Sequence, residues 1–153
     1  EMRAAVAMFG HMGIEMDPRE LTDHEYNALK AAIALHKEHR EFIHAADLYR
    51  LDSDDLSINF GLIDEQKSKA LFAYNSVRET PRTAPNKLRF VGLDADTQYT
   101  LNLVWPVKFE EYRPSSIAAV NGQTFTGEAL MEFGLQMPIS FPQTSLIFEL
   151  NKA

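Results

Sequence analysis

The sequence predicts a mainly β protein, in which one β/α unit precedes an antiparallel β-sandwich. Three observations predict it. The run Ala4-Ala5-Val6-Ala7-Met8-Phe9 is apolar at every position, as suits a strand buried on both faces. A stretch of helical periodicity follows, up to Ile43. Beyond about Asp47 the pattern changes to short alternating runs separated by turn residues, which is the mark of an antiparallel sandwich. The boundary lies near residues 46 to 52, dividing the chain into residues 1–46 and residues 47–153.

The first unit reads strand, loop, helix. Gly10-His11-Met12-Gly13 follows the apolar run directly, and two glycines so close to a strand end let the backbone turn sharply. Asp17-Pro18 begins a helical turn, since proline is tolerated where no N–H is needed. Thr22-Asp23-His24-Glu25 is a capping box, with threonine at N-cap and glutamate at N3. The helix it opens runs from about Asp23 to Ile43. Tyr26, Leu29, Ala32, Ile33 and Ile43 share one side of it. Asn27, Lys30, Lys37, Glu38 and Glu41 share the other, and His36 and Arg40 sit within the apolar side. A strand buried on both faces needs parallel neighbours, and the chain has no second β/α unit to supply them. That mismatch, together with Glu1 in place of methionine, predicts a segment of something larger.

The second unit is a series of strands. Asp47–Leu51 is short, and Asp52-Ser53-Asp54-Asp55 makes an acidic turn. Leu56 stands where a calcium loop would need its next oxygen ligand, and the defining glycine is missing, so the turn reads as solvated. Ser57–Leu62 alternates, with Ile58, Phe60 and Leu62 on one face. Lys69–Val77 is apolar on both faces at its centre, as in a central strand. Two prolines make 80–86 a loop. Leu88–Leu93 is a strand, and Asp94-Ala95-Asp96 a turn. Gln98–Trp105 alternates most cleanly, with Tyr99, Leu101, Leu103 and Trp105 facing one way until Pro106 closes it. Glu110 to Pro114 reads as loop. Asn121-Gly122 is a turn dipeptide, and Thr126 caps a helical turn through Met131. Leu146, Phe148 and Leu150 share a face of the last strand. These alternations predict a core of Ile58, Phe60, Leu101, Leu103, Trp105, Leu146 and Phe148.

Composition narrows the function. Net charge over the 153 residues is −7 and no segment is strongly basic, which argues against a nucleic-acid surface. Cysteine is absent, removing disulfides, thiolate nucleophiles and cysteine-rich zinc sites, in keeping with a cytoplasmic location. No apolar run reaches the length of a membrane span. His36 and His39 are three apart on the helix, but Glu38 points away and His44 lies at the helix end, so no metal is expected. No cofactor is expected either. The acids are dispersed over turns and a polar helix face. Acid–base chemistry by a carboxylate pair needs two acids held close together, and only Glu15 and Asp17 lie together near a strand end, where a helix start and an N-cap explain them.

An ordered series of segments carries a family resemblance. Phe9-Gly10-His11-Met12-Gly13-Ile14-Glu15, then Asp17-Pro18-Arg19-Glu20-Leu21-Thr22, then the helix and Asp47-Leu48-Tyr49-Arg50-Leu51 resemble the end of the catalytic domain of bacterial alpha-galactosidases of glycoside hydrolase family 36. Gly92-Leu93-Asp94-Ala95-Asp96 with Tyr99, and Thr126-Gly127-Glu128-Ala129-Leu130-Met131 with Gly134-Leu135, resemble segments of their C-terminal domain.

The resemblance implies a parent with a (β/α)8 barrel and a C-terminal β-sandwich, in which Ala4–Phe9 is the last barrel strand and Asp23–Ile43 the last barrel helix. It implies retaining hydrolysis of terminal alpha-galactosyl groups of raffinose-type oligosaccharides by two aspartates on earlier barrel strands. No residue of this chain matches either motif, so no catalytic residue is expected in it, and the chain alone is expected to be inactive. His11, after a strand end of the kind where barrel enzymes build their sites, is the one candidate substrate-binding residue. The expected partners are the rest of the enzyme chain, an alpha-galactoside in the parent, and further copies in a homo-oligomer; nucleic acid and membrane are not. A carbohydrate-binding module or a purely structural sandwich is the alternative role.

Overall fold

A computed structural model describes residues 2–109 and 116–153. The predicted loop from Glu110 to Pro114 lies outside the described residues. Helix α1 (Met2–Met8) leads through an extended segment and a 3-10 turn (Pro18–Glu20) to the long helix α2 (Asp23–Ala45). Strands β1 (Asp47–Arg50), β2 (Ser57–Ile63), β3 (Lys69–Ser76), β4 (Lys87–Leu88) and β5 (Gln98–Trp105) follow. The chain ends with α3 (Ile117–Val120), β6 (Gln123–Thr126), α4 (Gly127–Glu132), β7 (Leu135–Gln136) and β8 (Thr144–Lys152).

The C-terminal unit is mainly antiparallel β, as predicted, but its two layers are unequal. Six strands form one sheet in the order β1-β2-β3-β8-β5-β6, with every pairing antiparallel. The second sheet is only the ribbon β4-β7. This ribbon, the segment after it, α3 and α4 cover one face of the large sheet. Leu88, Phe90, Ile117 and Leu130 meet Phe72, Leu101, Phe148 and Leu150 there. Helices α1 and α2 cover the opposite face, where Ala5, Met8, Ala32 and Ile43 pack on Leu62, Leu71, Trp105 and Ile147. The central strands β3 and β8 are therefore apolar on both faces, which explains the continuous Leu71-Phe72-Ala73-Tyr74 run.

The run Ala4–Phe9 is helical through Met8 and turns at Phe9, and is not a strand, which corrects the first expectation. A strand there would leave its N–H and C=O groups without partners, because among the described residues no strand lies beside it. A helix satisfies them internally, and Ala4, Ala5, Ala7 and Met8 favour it intrinsically. The helix turns Ala5 and Met8 into the core and leaves Val6 46% exposed.

Helix α2 begins as predicted. Thr22 Oγ1 accepts from the Glu25 backbone N–H at 3.3 Å, and a Glu25 carboxylate oxygen accepts from the Thr22 N–H at 2.9 Å. Its buried stripe runs through Ala32, His39 and Ile43 rather than through Tyr26 and Arg40, which are exposed.

The predicted single core divides in two. Leu101, Leu146 and Phe148 lie under the ribbon, with Leu103 beside them. Trp105 is buried, yet lies in the helical layer. A β-bulge explains this: Leu103 opposes Phe148 while Trp105 opposes Ile147, so two residues of β5 face one of β8 and the side-chain alternation is broken. Phe60 also faces the helices, with the Phe9 ring packed edge-on at 4.9 Å. Ile58 shares that face but sits past the helical cover and is 53% exposed.

Two sequence motifs find their physical reasons. The Tyr99 hydroxyl donates to Lys67 O at 2.8 Å and accepts from Asp94 N–H at 3.1 Å, tying the 92–96 turn to the β2–β3 hairpin. At Gly127, a Cβ would stand 2.0 Å from Asp94 O, so only glycine lets α4 start against that turn.

Candidate functional site

His11 follows α1 in an exposed loop, and the structure brings two further histidines to it. The imidazoles of His11 and His44 lie 4.6 Å apart, centre to centre, and those of His36 and His44 lie 6.4 Å apart at a steep angle. His36 Nδ1 is 3.3 Å from Met8 O, so the last carbonyl of α1 is tied to the α2 surface. The 3.6-residue period places His36 and His44 two turns apart on the α2 face that meets the α1 loop. Among the described residues, no group of three or more His, Asp or Glu side chains is placed to hold a metal ion.

His39, paired with His36 in the sequence reading, faces the sheet instead. It is 2% exposed, with Nδ1 3.8 Å from a carboxylate oxygen of Glu149 on β8. That carboxylate already accepts from Lys69 Nζ at 2.9 Å. Burial, and then the Lys69 charge, hold the His39 titration below the ordinary histidine value, and Glu149 offsets only part of this. His39 is therefore a neutral packed imidazole. Glu149 and Lys69 were missed because they look like alternating surface residues of their strands.

The acidic side chains serve the backbone. Asp17 caps the 3-10 turn by accepting from Arg19 N–H at 2.9 Å and pairs with the Arg19 guanidinium, which holds its carboxyl below the usual range. Glu25 is lowered in the same direction by the Thr22 hydroxyl and N–H. Burial pulls Asp54 and Asp64 upward, but backbone and serine donors outweigh it and leave both lowered. A general acid needs the opposite direction. Glu15, the other half of the sequence-level pair, lies exposed in the loop.

A second polar constellation sits on the ribbon side of the sheet. Asp54 accepts from Leu56 N–H and Ser57 N–H at the turn between β1 and β2. Beside them opens a cavity of about 330 Å³. No residue pattern pointed to it, because Asn59 reads as the outward member of an alternating strand.

Comparison with known proteins places these features in a family. The description "Glycosyl hydrolase family 36 C-terminal domain" matches residues 59–150, and "Melibiase" matches residues 1–46. The alpha-galactosidase of Escherichia coli is 30% identical over 165 residues, an alignment that covers 99% of this chain and 22% of the relative. The alpha-galactosidase AgaA of Geobacillus stearothermophilus is 31% identical over 101 residues, covering 65% of this chain and 14% of the relative. A variant of AgaA crystallised with raffinose superposes with a TM-score of 0.80 at 25% identity, over 99% of this chain and 19% of that one. The Lactobacillus brevis alpha-galactosidase, at 22% identity and a TM-score of 0.79, shares the fold over 99% of this chain and 20% of its own. The chain thus spans about a fifth of the length of these relatives.

Proposed function

The chain belongs to glycosyl hydrolase family 36, and from that premise we propose that it is the C-terminal part of a retaining alpha-galactosidase acting on raffinose-type oligosaccharides. In this reading it closes and buttresses the catalytic barrel and carries neither catalytic aspartate. One observation carries the proposal: matches to a melibiase segment and to the family 36 C-terminal domain follow one another along the chain, over residues 1–46 and 59–150. The acids support it. Asp17, Glu25, Asp54 and Asp64 are held in structural hydrogen bonds and titrate low, whereas a glycosidase acid must titrate high.

Residues 1–46 then supply the last β/α unit of the barrel. His11, in the loop between α1 and the long helix α2, is our candidate for a substrate contact. Val6, Ile14, Met16 and Tyr26, each 45–52% exposed, offer an apolar surface for the rest of the barrel or for another copy in a homo-oligomer. The cysteine-free composition accords with action in the cytoplasm.

The test is an assay on a chromogenic alpha-galactoside, with the chain alone and with the chain mixed with the N-terminal remainder of the enzyme. The expected result is no turnover alone and turnover in the mixture. Turnover by the chain alone, abolished by replacing one of its own carboxylates, would overturn the proposal. In the complete enzyme, His11→Ala is expected to lower kcat/KM about tenfold, and an unchanged kcat/KM removes His11 from the substrate site.

A further inference from the structure

The Asn121-Gly122 dipeptide links α3 to β6 and has no part in the site around His11. Both of its residues are exposed. Asn121 has φ −63° and ψ 126°, and Gly122 has φ +76°, as at the central pair of a type II turn. Two bonds fasten the dipeptide to β5. Gly122 N–H donates to Leu101 O at 2.7 Å. Leu103 N–H donates to Asn121 Oδ1, also at 2.7 Å. The β5–β6 ladder ends at the Leu101–Gln123 pair, so the Asn121 side chain stands in for the next strand residue. A third bond, from Asn121 N–H to Ile117 O at 3.1 Å, closes the turn of α3.

These bonds engage the atoms of a single reaction. An asparagine followed by glycine closes on itself when the glycine nitrogen loses its proton to solvent and attacks the side-chain carbonyl carbon. A C–N bond forms to that carbon, and the amide nitrogen leaves as ammonia. Water then opens the cyclic imide at one carbonyl or the other, leaving aspartate or isoaspartate. Amide and water become acid and ammonia, and nothing is oxidised or reduced. Glycine favours the step because no Cβ crowds the attacking nitrogen. Three features of the folded chain oppose it. Leu101 O holds the proton that Gly122 must lose. Leu103 N–H holds the Asn121 amide against β5. The extended ψ of 126° turns the Gly122 nitrogen away from the Asn121 Cβ, on whose side the ring must close. All three are released together when β6 lifts off β5. β6 is the outermost strand of its sheet and only four residues long, so it belongs among the elements that open locally, ahead of the core strands.

We propose that Asn121 is a spontaneous deamidation site gated by local detachment of β6: silent while the strand is docked, converted while it is open. The conversion runs one way. Isoaspartate carries the backbone through the former side chain, which adds a methylene just ahead of β6 and withdraws the acceptor from Leu103. The pairs from Gln98–Thr126 to Leu101–Gln123 then start from a displaced turn. The site thus records the accumulated time that this end of the sheet spends open. The reading of the chain as part of an alpha-galactosidase plays no part in it.

The experiment incubates the 153-residue chain at mildly alkaline pH, folded and in urea, and follows Asn121 by peptide mapping for the mass gain of an amide turned acid. Hydrogen exchange is read in parallel at the Gly122 and Leu103 amides. Conversion in the folded chain is expected to be at least about tenfold slower than in urea, by a factor that matches the exchange protection of those two amides. Both amides are expected to exchange well before those of β3 and β8. Thr124→Gly, at an exposed position of β6, and Phe125→Ala, which removes a ring packed on the core, are each expected to speed conversion of the folded chain about tenfold and to leave the urea rate unchanged. Where a variant does not fold, the exchange comparison on the unaltered chain decides alone. Equal rates in the folded chain and in urea, or no conversion in either, overturn the proposal. So do Gly122 and Leu103 amides that exchange no faster than the central strands, which would make global unfolding the gate. Variants that speed exchange at Gly122 without speeding conversion overturn it as well.

Discussion

His39 shows how one residue couples the two parts of the chain to pH. Its imidazole sits between α2 and β8, buried, with Lys69 nearby and Glu149 already engaged. The folded state prefers it neutral, whereas the unfolded chain takes up a proton near the ordinary value of 6.5. The unfolded state therefore binds more protons below 6.5, and stability falls as pH drops through that value, levelling once the folded protein is protonated too. Thermal melts across this range should show the loss, and His39→Leu should flatten it. An unchanged slope in the variant would assign the dependence to other groups. Trp105 joins the two parts by packing alone. It fills the helical layer at 1% exposure with its indole N–H unpaired. Trp105→Ala is expected to cost about 3–5 kcal/mol, read from the urea midpoint. Trp105→Phe should cost less, because it keeps most of the ring and removes the orphaned donor. That Trp105 is buried was legible from its place in an alternating strand. Which layer it fills was not, since the bulge between Leu103 and Trp105 leaves no residue signature in β5.

At the scale of elements, local chemistry was the most legible part. The Thr22–Glu25 box, the Asp17-Pro18 turn and the Thr126 cap are each closed within a few residues, and all three formed where the sequence put them. Ala4–Phe9 was misread because an unbroken apolar run specifies burial on more than one side, not the element that achieves it. The choice between helix and strand belongs to the partners. The glycines mark where elements touch. Gly127→Ala should destabilise by at least the 1–3 kcal/mol of a typical overpacked site, about that or more, since its Cβ would overlap Asp94 O on a backbone that cannot swing aside. Gly122→Ala meets nothing nearer than Asn102 Oδ1 at 4.0 Å, an ordinary contact, and should cost only the strain of a positive φ, about 1–2 kcal/mol. Equal losses in the two variants, measured by denaturant unfolding, would refute the close approach at Gly127.

For the molecule as a whole, the antiparallel class was legible from spacing and alternation, but the division into layers was not. Ile58, Phe60 and Leu62 were correctly placed on one face of β2, yet that face meets helices rather than a second sheet. A period of two reports which residues share a side and is silent on what covers it. The candidate site divided in the same way. His11 was found from its place after an apolar run, whereas its neighbours His36 and His44 came from folding, and Asn59 looked like an ordinary outward residue.

The order β1-β2-β3-β8-β5-β6 also fixes where the sheet ends. Its two borders, β1 and β6, are four residues each, while the strands between them run to seven, eight and nine. An exposed border is a template on which a foreign strand can grow a ladder, the first step toward fibrils. Here any added strand finds only a few rungs. On one side Asp47 and Arg50 bracket the row with opposite charges, and on the other α4 begins directly after Thr126, so the row cannot lengthen. The long apolar strands that would nucleate aggregation are kept at the centre, where both flanks are already occupied.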